Sequence, residues 1–111
     1  MSGGGSGPSY YDTSTRPGFD CSSLVERTYL NPPVPSVAET LQLGDVLTVQ
    51  LQTESAAPAL VATTAAGAVA GSLTPARLPQ LIDCIQRGGF SYIAVVQEIS
   101  GGQIRVEIRP R

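Results

Sequence analysis

The chain contains no histidine and no lysine, and all seven of its basic residues are arginine. Imidazole and amine are the side chains most used near neutral pH for proton transfer, metal binding and Schiff-base chemistry. Their absence argues against most enzyme classes. Tryptophan is also absent, and charged residues make up only 14% of the 111 residues. A surface so poor in charge is expected to be covered in part by a partner. The net charge of −2 shows no basic excess, whereas nucleic-acid modules draw much of their affinity from neutralising phosphate. No run approaches the roughly 20 apolar residues of a membrane span. No basic segment followed by an apolar run opens the chain, so no signal peptide is read and cytoplasmic residence is expected.

Cysteine is scarce too. Cys21 and Cys84 stand far apart with no histidine to join them, and two thiolates do not make a zinc site, which needs about four ligands. In a reducing compartment they are expected to be buried small hydrophobes. The alternative is a disulfide tying the start of the folded region to a helix.

The sequence divides into residues 1–20, a Gly/Ser-rich tail expected to be disordered, and residues 21–111, enough for one modest core. Leu24 to Leu30 reads as a first strand with Leu24, Glu26, Thr28 and Leu30 on one face and Val25, Arg27 and Tyr29 on the other. Asn31-Pro32-Pro33 is expected to end it, because proline donates nothing to a ladder. Ser36 and Glu39 have capping-box spacing, which predicts a short helix over about 37–42 closed by Gly44. Asp45–Gln52 alternates apolar and polar residues and predicts a strand, its entry turn organised by Asp45.

Ala59–Thr64 and Ala68–Leu73 flank Ala65-Ala66-Gly67, the pattern of a hairpin with glycine last. Gly71 inside its strand predicts a bulge or a sharp bend. A main helix is predicted over about 75–87, starting at Pro75 or at Pro79, with Leu78, Leu81, Ile82 and Ile85 on one stripe and Gly88 as its cap. Phe90–Ile99 and Gln103–Arg109 form a last hairpin, with Ile104, Val106 and Ile108 pointing inward and Arg105, Glu107 and Arg109 outward. Tyr92–Val96 is apolar on both faces and reads as a central or doubly covered strand. The fold class is mainly β (β-rich α+β): a small barrel or sandwich of five to six mostly antiparallel strands with one main and one short helix.

The order Gly44-Asp45 before a strand, a turn at Gly67, a strand closing in Gly71-Ser72-Leu73, a helix ending in Arg87-Gly88, an aromatic-aliphatic strand and a glycine-turn hairpin resembles the HIRAN-type small barrel over about residues 44–109. HIRAN modules are known as appendages of DNA-remodelling enzymes and as small bacterial proteins. The resemblance implies binding of the 3′ end of single-stranded DNA. Thr53–Pro58 stands where the family carries an Asn/Pro/Asp-rich stretch.

Catalytic chemistry finds little support. Cys84 lies late in its helix, where the dipole opposes a thiolate. Asp45, Asp83, Glu98 and Glu107 show no paired spacing. The Ser2–Gly7 glycine run follows no strand and opens no helix, so it makes no phosphate cradle. No catalytic, cofactor-binding or metal-binding residue is assigned, and no cofactor is expected. The expected binding face is Arg105 and Arg109 on the last strand, with Tyr92 and Tyr29 as aromatic neighbours. Two functions follow. One is a non-enzymatic adaptor or assembly subunit of a bacterial multicomponent system, with a protein partner or a second copy paired on the edge of the last strand. The other is binding of single-stranded nucleic-acid ends. No membrane partner is expected. The bacterial assignment rests on the lysine-free, Ala/Gly/Pro/Arg-rich composition and on the resemblance.

Overall fold

The structure is a computed structural model that describes residues 20–54 and 56–111. The predicted tail therefore lies, but for Asp20, outside the described residues. Six strands follow in chain order: β1 (Glu26–Pro33), β2 (Val46–Gln52), β3 (Ala59–Thr63), β4 (Val69–Leu73), β5 (Tyr92–Ser100) and β6 (Gln103–Pro110). Helix α1 (Pro35–Ala38) precedes β2, and α2 (Leu78–Gln86) joins β4 to β5. All pairings are antiparallel, and the sheet closes on itself in the order β1-β4-β3-β2-β5-β6. The expectation of a barrel or sandwich resolves to a closed barrel. Among the described residues, no helix is long and apolar enough to cross a membrane.

The alternation read from the sequence fills the barrel. Leu47 and Val49 from β2, Tyr92, Ala94 and Val96 from β5, and Ile104, Val106 and Ile108 from β6 are all buried in one core. Leu81 of α2 joins that core, with Leu78, Ile82 and Ile85 packed against it. The β5–β6 hairpin turns on Gly101-Gly102, both with positive φ (57° and 83°) and flanked by the Ser100–Gln103 pair. Positive φ at both central residues is the backbone of a two-residue type I′ turn, whose twist matches that of the strands. Asp45 organises the turn into β2 as expected, accepting a hydrogen bond from the Gln42 amide at 2.9 Å.

Several expectations are corrected. β1 begins at Glu26 rather than Leu24, and it runs through Asn31-Pro32-Pro33 instead of ending there. The Asn31–Pro32 bond is cis, and the register with β4 breaks between Leu30 and Pro33. Pro33 then faces Gly71, and the amide that proline lacks is supplied one residue on, where Val34 donates to the Ala70 carbonyl at 2.8 Å. Gly71 makes this approach possible: a Cβ there would lie 2.9 Å from the Pro32 carbonyl oxygen. The β3–β4 register also slips beside it, between Ala62 and Thr63, so the predicted irregularity is present.

Helix α1 spans one turn over Pro35–Ala38, not 37–42, and no side chain caps it. Proline at the first position sets the helix start one residue before Ser36, so the capping box does not form. Helix α2 is also shorter than 75–87 and starts just before Pro79, the second of the two starts considered. Its exit uses Gly89, with φ 69°, as the left-handed residue in place of Gly88.

Candidate functional site

Strand pleating and register together determine which side chains share the outer surface. Across β2, β5, β6 and β1 one row reads Val46, Val95, Glu107, Arg27. The row beside it reads Thr48, Ile93, Arg109, and a third reads Glu98, Arg105, Tyr29. The face is thus aliphatic toward β2 and ionic toward β1.

The ionic half is internally matched. Glu107 is held between two guanidiniums, with its Oε2 3.2 Å from Arg27 Nη2 and its Oε1 3.2 Å from Arg109 Nη2. Arg105 Nε lies 3.5 Å from Glu98 Oε1, an ion-pair contact without hydrogen-bond geometry. The Nε atoms of Arg105 and Arg109 are both covered, while the two side chains keep about two-fifths of their surface exposed (40% and 43%). Their stems lie along the sheet and their outer ends reach water, as amphipathic side chains do. Arg111 follows β6 and donates from Nη2 to Thr48 Oγ1 at 3.3 Å.

Of the four expected face residues, the structure brings three together. Arg105 and Arg109 point outward from β6, and Tyr29 stands opposite Arg105, 44% exposed. Tyr92 is not on the face. It is 1% exposed inside the barrel, and its hydroxyl donates to the Cys21 carbonyl at 2.6 Å. It sits in register with Ala94 and Val96, so the pleat that turns Ile93 and Val95 outward turns Tyr92 inward. Burial raises the Tyr92 pKa, and the nearby Asp20 carboxylate adds to the rise. Asp20 itself accepts hydrogen bonds from the Ser22 amide and hydroxyl, which lower its own pKa. Arg27 also belongs to the face, beside the four residues expected there. Its signal was the outward alternation Val25, Arg27, Tyr29, already visible in the sequence.

Two further expectations change here. Cys21 and Cys84 form a disulfide, with Cα atoms 5.7 Å apart, so the expected pair of reduced thiols gives way to the alternative. β6 is not an edge either. It pairs with β5 on one side and with β1 from Glu26–Ile108 to Tyr29–Arg105 on the other. Its residues 105–108 therefore offer no free ladder to a partner. Among the described residues no group of three or more His, Cys, Asp or Glu lies close enough to hold a metal.

Comparison with protein-family models, with curated proteins and with solved structures returns no match.

Proposed function

We propose that the protein is a non-enzymatic binding module, an adaptor or assembly subunit that docks on a protein partner through the outward face of β2, β5, β6 and β1. The observation that carries this reading is the face's composition, an aliphatic lane beside an ion-paired ladder with exposed Tyr29 on its rim. Arginine and tyrosine beside apolar groups are the residues enriched at protein interfaces and their hot spots. Arg27, Arg105 and Arg109 each already hold a carboxylate, which competes with any arriving phosphate. The test is chemical cross-linking to the source extract, then reconstitution with the purified partner. Tyr29→Ala and Arg105→Glu are expected to weaken the reconstituted complex at least about tenfold. A wild-type chain that stays monomeric in light scattering and cross-links to nothing overturns the reading.

A second reading has its own support. Arg105 stands opposite Tyr29 and Arg27 lies two residues before it on the same face, the pairing of cations with a stacking ring that single-strand binders use, and Arg109 continues the cations along β6. Three phosphate contacts predict that log K falls with log[salt] at a slope of about −2 for a single strand. Arg105→Ala should flatten that slope by slightly under one. Titration of a labelled single-stranded DNA with a free 3′ end measures it, and an affinity indifferent to salt removes this reading.

The compartment is part of the proposal. A cytoplasmic module carries its thiols reduced, whereas the Cys21–Cys84 bond favours an oxidising compartment. Thiol titration of protein taken directly from its source decides between them.

A further inference from the structure

A second surface lies where the β5–β6 tip overhangs α1. Here a bulge redirects the sequence pattern. Simple alternation from Tyr92 would turn Ile99 outward with Ile93 and Val95. The register slips between Val96 and Glu98, so Glu98 faces Arg105 and Ile99 faces Ile104. Directly opposed residues share a face of the sheet, and Ile104 points into the barrel, only 2% exposed. Ile99 is thereby carried to the inner side of the tip, yet 42% of its surface stays open.

The space beneath it is a cleft of about 360 Å³, with Pro33, Pro35 and Ala38 opposite Ile99 and Ile104. That volume is at the small end of the range for ligand sites and suits one or two side chains better than a whole cofactor. Glu39 stands among the lining residues. Glu26, Asp83, Glu98 and Glu107 each hold an arginine, but the Glu39 carboxylate has no ion pair or hydrogen bond among the described residues. The strand above the cleft is also half-spent. The β2–β5 ladder stops at Val95, with two more bonds joining Val96 to Gly44 and Asp45. From Glu98 to Ser100, β5 has a ladder on its β6 side alone. Backbone groups along Ile99 are therefore placed to meet another extended backbone.

From these features we infer that the cleft binds an extended peptide carrying an aliphatic side chain and a lysine or arginine on the same side of its strand. The aliphatic group fills the space between the proline rings and the two isoleucines. The cation pairs with Glu39, and the peptide backbone runs along Glu98–Ser100. This site is separate from the outward face and does not depend on it.

The test uses the full chain, labelled with nitrogen-15, and two synthetic probes. One is the acetylated, amidated pentapeptide Thr-Leu-Thr-Arg-Thr, in which Leu and Arg share a face when extended. The other replaces its Arg by Glu. The first is expected to shift the amides of Ala38, Ile99, Gly102 and Ile104, and the second to bind several-fold more weakly. Glu39→Gln should weaken the arginine peptide about threefold, the worth of an exposed ion pair, and remove the difference between the two probes. Both Glu39 and Ile99 are exposed, so Glu39→Gln and Ile99→Ser are expected to keep the wild-type spectrum outside the cleft, and Ile99→Ser to abolish binding. Equal binding of both probes, or no shift at millimolar peptide, overturns the inference. Shifts confined to Tyr29, Arg105 and their neighbours also overturn it, while leaving the outward-face reading intact.

Discussion

Gly71 shows how much one missing atom permits. β1 crosses β4 there with two prolines, whose rings leave the backbone little freedom to move. A Cβ at this position would lie 3.0 Å from Leu30 Cβ and 3.1 Å from Pro33 Cα, as well as close to the Pro32 oxygen. Two of these three atoms are backbone. Gly71→Ala is expected to cost about 2 kcal/mol, the scale of overpacking in a full core. Urea unfolding measures it, and an unchanged midpoint would show that the crossing has slack. Tyr92 makes a different kind of prediction. Its buried hydroxyl keeps its proton more firmly in the folded chain than in the unfolded one, where it titrates near pH 10. The unfolded state therefore binds fewer protons above that pH, and stability falls as pH rises from there through the folded value. Tyr92→Phe should lose about 1 kcal/mol at neutral pH with the Cys21 hydrogen bond and show a shallower alkaline decline. Parallel unfolding curves at pH 8 and above pH 10, with and without the substitution, check both effects.

At the scale of elements, the sequence was most legible where one periodicity ran undisturbed. β2 and β6 alternate cleanly, and their inward residues were readable because a strand with one buried face needs little beyond period two. Proline-rich segments were not legible in the same way. Whether Pro32-Pro33 ends β1 depends on Gly71, which is remote in sequence, and the one-turn helix was displaced because Pro35 set its start. The bulge at Gln97 is equally hidden, and it reverses the side on which simple alternation would set Ile99. The face residues Arg105, Arg109 and Tyr29 follow from alternation, whereas Tyr92, although aromatic, is out of phase with Ile93 and Val95 and turns inward. The cysteine pairing needed the position of α2 beside Cys21, which no local pattern supplies. That bond spans 63 residues of sequence. Loop-closure entropy for such a span stabilises by about 4 kcal/mol. Unfolding by urea with and without reductant should differ by that order, and coincident midpoints would mean the tie adds nothing to the fold.

At the scale of the whole molecule, barrel closure determines what kind of recognition is available. Closing the sheet removes strand edges, and here it leaves side chains to present the outer face. Docking there must consequently be read through Tyr29, the arginines and the aliphatic lane, and the overhanging tip of β5 is one of the segments whose backbone is paired on one side alone. This makes Val106 a sharp probe. It pairs with Thr28 on β1 and Val96 on β5, so it sits in the ladder on both sides. If β6 were a free edge, Val106→Pro would impair association and leave the monomer folded. In a closed barrel the same change removes a ladder donor from a segment paired on both sides, at a cost of about 3 kcal/mol or more. It should unfold much of the population and abolish the sheet signal in circular dichroism, whereas Arg105→Ala, on the outside of the same strand, should leave that signal unchanged. A folded, monomeric Val106→Pro chain would instead mean that β6 and β1 part readily, which would restore the last strand as a docking edge.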